Sequence, residues 1–255
     1  MLLTPQPLGD TTAYKPIGGK VSLTSWNVWF DKWEREKRNQ ALLEELGRRD
    51  PDICCFQEVT PPFVRALQAC SWLKAGYWIS GTHHQEIGVV IVSRLKVDAL
   101  RFCNLTTRMG RRLLVADFGG LRVGCAHFES NFQAGEVRRQ QFSESLEYLS
   151  SSRSAVLAGD FNCAPDSEES EALQGAVDCW QALRPGEAGF TLDSESNFCA
   201  QKQSRSQSHR VRLDRILTIG RVEATQIEMM GVQPIGESLH SSDHFGLYVE
   251  LRPDL

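Results

Sequence analysis

The chain has 255 residues, 41% of them apolar, with 28 basic against 32 acidic side chains and a formal net charge of −4. That is enough hydrophobic material for a sizeable core, which excludes global disorder. The acidic balance excludes a protein that coats nucleic acid by bulk charge, though not a local basic groove.

Residues 1–20 carry Pro5, Gly9, Pro16, Gly18 and Gly19 and read as a flexible leader ahead of one domain over 21–255. Val21 to Val28 then reads as a strand. Glu34 to Arg49 reads as a helix with Ala41, Leu42 and Leu46 on one face. Pro51 ends it, and Ile53 to Phe56 is a short buried strand. Thr60 offers an N-cap, with Pro61 at the first helical position, for a helix reaching Cys70. Gly88 to Ser93, Arg112 to Phe118 and Leu121 to His127 read as strands, the last two joined through Gly119-Gly120 as a hairpin. Gln133 to Leu149 is amphipathic, and Ala155 to Ala158 is another buried strand. Gln201 to His209 is polar and reads as a mobile loop. Strands near Val211 to Ile219 and Gly246 to Leu251 close the chain. Mixed hairpins and β-helix-β units predict an α/β fold of two packed sheets with helices outside.

The eight cysteines form no CxxC pair and no zinc-ligand spacing, and several lie in apolar runs such as Ile53-Cys54-Cys55-Phe56. They read as reduced, structural thiols. No apolar run reaches the length of a membrane span, and the N-terminus lacks a signal-peptide pattern, so the reading is a soluble intracellular protein, monomeric and not membrane-bound.

The polar residues of interest sit at strand ends: Asn27 in Ser25-Trp26-Asn27, Glu58 in Gln57-Glu58, and His127 and Ser130 in His127-Phe128-Glu129-Ser130. Asp160 and Asn162 follow in Gly159-Asp160-Phe161-Asn162, then Asp214 in Leu213-Asp214-Arg215, then Asp243 and His244 in Ser242-Asp243-His244-Phe245-Gly246. Taken singly each has a plain structural explanation: a solvated or capping Glu58, an Asp-x-Asn turn, a satisfied structural His127. Together they offer oxygen donors for a hard cation such as Mg²⁺, with imidazoles and amides for phosphoryl oxygens, which is what phosphoester hydrolysis requires.

In order and character these motifs resemble the endonuclease/exonuclease/phosphatase superfamily over about Val21 to Leu251, and within it the type 2 tyrosyl-DNA phosphodiesterases. The resemblance implies a DNase I-like four-layer α/β sandwich, two packed mixed β-sheets flanked by helices, dependent on Mg²⁺ with Mn²⁺ as a substitute. It implies a DNA-repair hydrolase acting on DNA with a 5′-linked tyrosine or peptide and leaving a 5′-phosphate, in nucleus or cytoplasm if the source is eukaryotic. Residue by residue it makes Glu58 the principal metal ligand, with Asn27 beside it and Asp243 in support through water. Asp160 positions and deprotonates the attacking water, helped by Asn162. His244, oriented by Asp214, stabilises the transition state, and His127 and Ser130 bind the phosphate from the opposite side. Arg111 is placed for a DNA phosphate contact, or is simply a solvated hairpin charge. Two positions depart from the pattern: Trp29 stands where an acid is expected, and Leu192 where an aromatic lines the DNA groove, with Phe190 or Trp29 as substitutes for it. Related readings are an abasic-site endonuclease, a deadenylase or other RNA phosphodiesterase, and a lipid or inositol-phosphate enzyme. A catalytically dead binding module would have lost Glu58, Asp160 or His244, and all three are present.

Overall fold

Strands buried on both faces read as unbroken apolar runs, and here such runs form the middle of the molecule. The computed structural model describes residues 1–9, 14–81, 87–204 and 208–255. In chain order its elements are β1 (Gln6–Pro7), β2 (Val21–Asn27), α1 (Arg35–Arg49), β3 (Ile53–Val59), α2 (Pro61–Ala69), β4 (Trp78–Ile79), β5 (Gly88–Ser93) and β6 (Ala99–Asn104). They continue with β7 (Arg112–Phe118), β8 (Leu121–His127), α3 (Gly135–Ser150), β9 (Ser154–Asp160), β10 (Ala176–Asp178), α4 (Cys179–Leu183), β11 (Leu192–Asp193) and α5 (Phe198–Gln203). The last are β12 (Arg210–Val211), β13 (Asp214–Gly220), β14 (Val222–Met230) and β15 (Gly246–Pro253).

One sheet runs β1-β4-β5-β3-β2-β15-β14 and the other β10-β13-β9-β8-β7-β6, with β11 and β12 a separate ribbon. Both large sheets are mixed: β2 pairs parallel with β3, and β8 with β9, among otherwise antiparallel neighbours. Alternation along each strand divides its side chains between two layers. Leu23, Ile53, Cys55 and Ile91 of the first sheet meet Leu114, Val123, Val156 and Ile216 of the second in the central core. Cys54, Phe56 and Val90 face the other way, against Leu42 and Leu46 of α1 and Phe63 and Leu67 of α2. Leu113, Ala155 and Leu157 likewise pack outward on Phe142 and Leu149 of α3. This is the four-layer α/β sandwich.

Several expectations need adjustment. Over its described part the leader is seated on both sheets: Met1 and Leu3 bond Phe102 and Leu100 of β6, β1 pairs with β4, and the Lys15 ammonium donates to Asp52 at 2.9 Å. Thr60 begins α2 without a side-chain cap, and its carbonyl alone accepts, from Val64 N–H. Within the stretch read as a polar loop, residues up to Gln203 belong to α5, capped by Asn197, and residues 205–207 lie outside the described ones. The strand expected at Val211 to Ile219 is broken before Asp214, because Arg210–Val211 pair with β11 instead. The sequence reading names neither the long strands β6 and β14 nor the short β1, β4, β10 and β11. All eight cysteines are free, and all but Cys70 are buried.

Candidate active site

The two parallel pairs bring their C-terminal ends to one rim of the sandwich. On the second sheet the register sets His127, the last residue of β8, beside Asp160, the last of β9, and Asp214, the first of β13, on its other side. Gly159 precedes Asp160 for a steric reason: a Cβ there would stand 1.9 Å from the Ala126 carbonyl oxygen on β8. On the first sheet Asn27 ends β2. Glu58 would by alternation follow Gln57 to the helix-covered face. Instead the β3–β5 register slips between Phe56 and Val59, with Glu58 at φ 57°, and this bulge turns the carboxylate into the cleft. Trp29 and Asn162 also hold left-handed φ values, 58° and 53°, a strain that collects at functional sites.

The side chains then interlock. Asn27 Nδ2 donates to Asp160 Oδ2 at 3.0 Å, bridging the two sheets, and Asn27 Oδ1 accepts from Trp29 N–H at 3.0 Å. Glu58 Oε2 accepts from Phe30 N–H at 3.0 Å. Asp160 Oδ1 accepts from Asn162 N–H at 2.9 Å, and the Asn162 amide donates to Phe128 O at 3.0 Å. Asp214 Oδ2 lies 2.7 Å from His244 Nδ1. Arg111 Nη1 lies 3.0 Å from His127 Nδ1, and its Nη2 3.4 Å from Ser130 Oγ. A guanidinium can only donate, so His127 Nδ1 accepts and the neutral ring carries its proton on Nε2. That Nε2 lies 3.5 Å from Asp160 Oδ2 and 4.0 Å from Glu58 Oε1. Asp243 is reached by Ser242 Oγ at 3.3 Å. The residues singled out in the sequence for the site thus come together at one rim of the sandwich.

The pattern described as the Endonuclease/Exonuclease/phosphatase family matches residues 24–244, which takes in Asn27 at one end and His244 at the other. The chain belongs to the endonuclease/exonuclease/phosphatase family. It is 26% identical to tyrosyl-DNA phosphodiesterase 2 of Gallus gallus over 89% of this chain and 65% of that protein. It is 31% identical to Protein angel of Drosophila melanogaster over 57% of this chain and 48% of that one. It therefore spans about two thirds and about half of the lengths of these curated relatives. In fold it is similar to D. rerio TDP2 crystallised with a single-strand DNA product, with a TM-score of 0.77, 24% identity, and 92% and 99% of the two chains covered.

The charges at this rim act on one another. Burial pushes the Asp160 carboxyl up, but His244, His127, and the Asn27 and Asn162 donors outweigh it and hold it below the usual range. Burial opposes charge on His244 too, yet Asp214, Asp243 and Asp160 hold the ring well above its ordinary pKa, so it is a cation. Burial, joined by the Arg111 charge, keeps His127 low and neutral despite Asp160 and Glu58. Burial raises Asp214 as well. Asp243 is pushed up to about 7, by burial first and then by Glu58 and Asp160, against the pull of His244 and Arg38.

This donor set fits a hard divalent cation. The ligand atoms of Asp160, Asp214 and His244 lie within 4.8 Å of one another. A protonated His244 already bonded to Asp214 cannot ligate through that nitrogen, which leaves as oxygen donors Asp160 and the unpartnered Asp214 Oδ1, with Glu58, Asp243 and the remaining lone pair of Asn27, the three that the resemblance implies.

The two departures also resolve. Trp29 is 6% exposed, its ring under the Arg38 guanidinium at 4.4 Å, so it lines no groove, and what it supplies is the backbone N–H on Asn27. Leu192 lies in the ribbon opposite Val211, and Phe190 is covered by Arg210 at 4.9 Å. Among the described residues, exposed aromatics next to the site are Phe30, 46% exposed, whose own N–H donates to Glu58, and Phe132, 94% exposed two residues past Ser130. Arg111 is no solvated hairpin charge, since its Nη atoms serve His127 and Ser130. Sequence reasoning missed three supports. Trp26 Nε1 donates to His244 O at 2.9 Å, and Ser242 Oγ to Asn27 O at 2.6 Å. Thr191 Oγ1 accepts from Asp214 N–H at 2.9 Å. Trp26 and Ser242 stand inside the quoted motifs, whereas nothing near Thr191 in sequence marks it.

Proposed function

We propose that the chain is a divalent-metal-dependent phosphodiesterase that hydrolyses 5′-phosphotyrosyl-DNA bonds with water and leaves a 5′-phosphate. The observation that carries the reading is Asp160, held ionised at the meeting of the two sheets between Asn27, neutral His127 and cationic His244, with Glu58 opposite. The name of the Gallus gallus relative supports the substrate.

Glu58, with Asp243 and Asn27 beside it, would hold the Mg²⁺, which when bound would supply charge neutralisation and Lewis acidity for the phosphoryl group. The protein's own groups do the rest. Asp160, with Asn162, orients a water and takes its proton as the new P–O bond forms. His244, kept protonated by Asp214, donates to a non-bridging oxygen that gains charge in the transition state. His127, whose Nε2–H is fixed by Arg111, and Ser130 donate from the other side. A tyrosine phenolate has a pKa of about 10 and leaves more readily than a sugar alkoxide, so the site needs no dedicated acid for it.

The test is hydrolysis of a 5′-phosphotyrosyl oligonucleotide with Mg²⁺, with and without EDTA, beside 3′-phosphotyrosyl and abasic-site substrates. Metal-dependent release of a 5′-phosphate end, much faster than either control, is expected, with at least about a hundredfold loss in Asp160→Asn and His244→Ala. Cleavage of the abasic substrate alone would keep the mechanism and discard the phosphotyrosyl assignment.

A further inference from the structure

Arg38, in the first turn of α1, is fully buried, and none of its described hydrogen bonds ends on a carboxylate. Its guanidinium donates only to main-chain carbonyls of the segment between β2 and α1. Nε reaches Trp33 O at 2.9 Å and Nη2 reaches Asp31 O at 2.6 Å. Nη1 is shared between Val28 O at 3.4 Å and Trp29 O at 3.5 Å. Its flat face covers the Trp29 ring at 4.4 Å. From the same turn Arg35 adds bonds to Phe30 O at 2.6 Å and Asp31 O at 3.1 Å. A buried cation is tolerated only where dipoles and counter-charges surround it. Here those are the loop carbonyls, with the Asp31 and Asp243 carboxylates nearby. Any other loop conformation would strip the guanidinium of its partners.

What the loop presents is the metal side of the cleft. Trp29 N–H fixes the Asn27 amide, and Phe30 N–H takes Glu58 Oε2, which leaves Oε1 as the oxygen on the His127 side. We infer that Arg38 is a positioning residue for the divalent-cation site: it locks residues 28–33 so that Trp29 and Phe30 orient Asn27 and Glu58 before any ion binds. The inference rests on the proposed role of Glu58 as metal ligand. Lysine cannot replace arginine here, because one ammonium can neither span four carbonyls nor stack on the indole.

The test is Mn²⁺ binding by the whole chain without substrate, read by electron paramagnetic resonance of the free ion, for Arg38→Lys and Arg38→Met. Arg138→Lys is the comparison. Arg138 is similarly buried and clamps the Glu129, Asn131 and Phe132 carbonyls on the phosphate side, away from Glu58. Both Arg38 variants are expected to bind Mn²⁺ at least about tenfold more weakly while unfolding cooperatively, and Arg138→Lys to keep wild-type affinity despite a similar loss of stability. Unchanged affinity in folded Arg38 variants, or an equal loss in Arg138→Lys, overturns the inference and leaves the role of Glu58 standing. Failure of the wild-type chain to bind Mn²⁺ removes both. Should the Arg38 variants not fold, amide exchange of the metal-free wild type decides. Protected Trp29 and Phe30 N–H groups support a pre-set loop, and exchange at the open-chain rate refutes it.

Discussion

Asp243 is caught in an electrostatic conflict at the rim: a buried carboxyl, with Glu58 and Asp160 near enough to raise it, pushed up to about 7. Its unfolded value is about 3.9, so across that interval the native protein holds a proton that the unfolded chain has released. In the metal-free protein this group's contribution to stability therefore declines as pH rises from about 4 to about 7. A bound cation competes with that proton, which fixes the sign for binding: affinity rises with pH and levels off above about 7. Mn²⁺ should bind about tenfold more weakly at pH 6 than at pH 8, and Asp243→Asn should flatten the profile. His244 is held well above its ordinary value, which favours the cation, and His127 below it, which favours the neutral ring. Calorimetric titration at several pH values checks this, and a flat wild-type profile would take Asp243 out of the site.

At the level of elements, what the sequence revealed were buried strands that carry a polar residue at or near their C-terminal end: Asn27 on β2, Glu58 on β3, His127 on β8 and Asp160 on β9. What it hid depends on tertiary context. β14 alternates charged and apolar residues at a sheet edge, with a register shift between Ala224 and Gln226 that spoils the period. Glu58 looks like a continuation of β3, and only the slipped register shows that it is turned into the cleft. α5 is short and polar and exists because Asn197 caps it. The Asn197 Oδ1 accepts from Cys199 and Ala200 N–H, while Nδ2 donates to Ser242 O at 3.0 Å, so one side chain ties the helix to the Ser242-Asp243-His244 turn. Asn197→Ala removes the cap and leaves a buried carbonyl without that partner, a loss of about 2 kcal/mol or more. Urea unfolding measures it. Turnover should fall as well, since the same carbonyl belongs to the turn carrying His244. Normal activity alongside the lost stability would show that the turn holds its shape without α5.

Taken whole, the molecule separates its inter-sheet contacts by chemistry. The body of the interface is apolar, and polar bridges gather at the rim, where Asn27 of the first sheet bonds Asp160 of the second and Gln57 reaches the Cys125 sulfur at 3.5 Å. Glu58 and Asp243 come from stretches far apart in the chain, so the unfolded chain presents no comparable site and a cation held there binds the folded state alone. Linkage then gives about 2.7 kcal/mol of added stability at a concentration a hundred times the dissociation constant. For a chain of 255 residues that amounts to a rise in Tm of roughly 5–10 °C. The expected result is a Tm that climbs with Mg²⁺ in the wild type and does not respond in Glu58→Gln. The variant's own metal-free Tm should be no lower than the wild type's, since one carboxylate fewer faces Asp243 and Asp160. A metal-independent Tm in the wild type would mean that the acids at the rim are balanced by the protein's own cations, His244, Arg38 and Arg111, and the cation would lose its place in the fold.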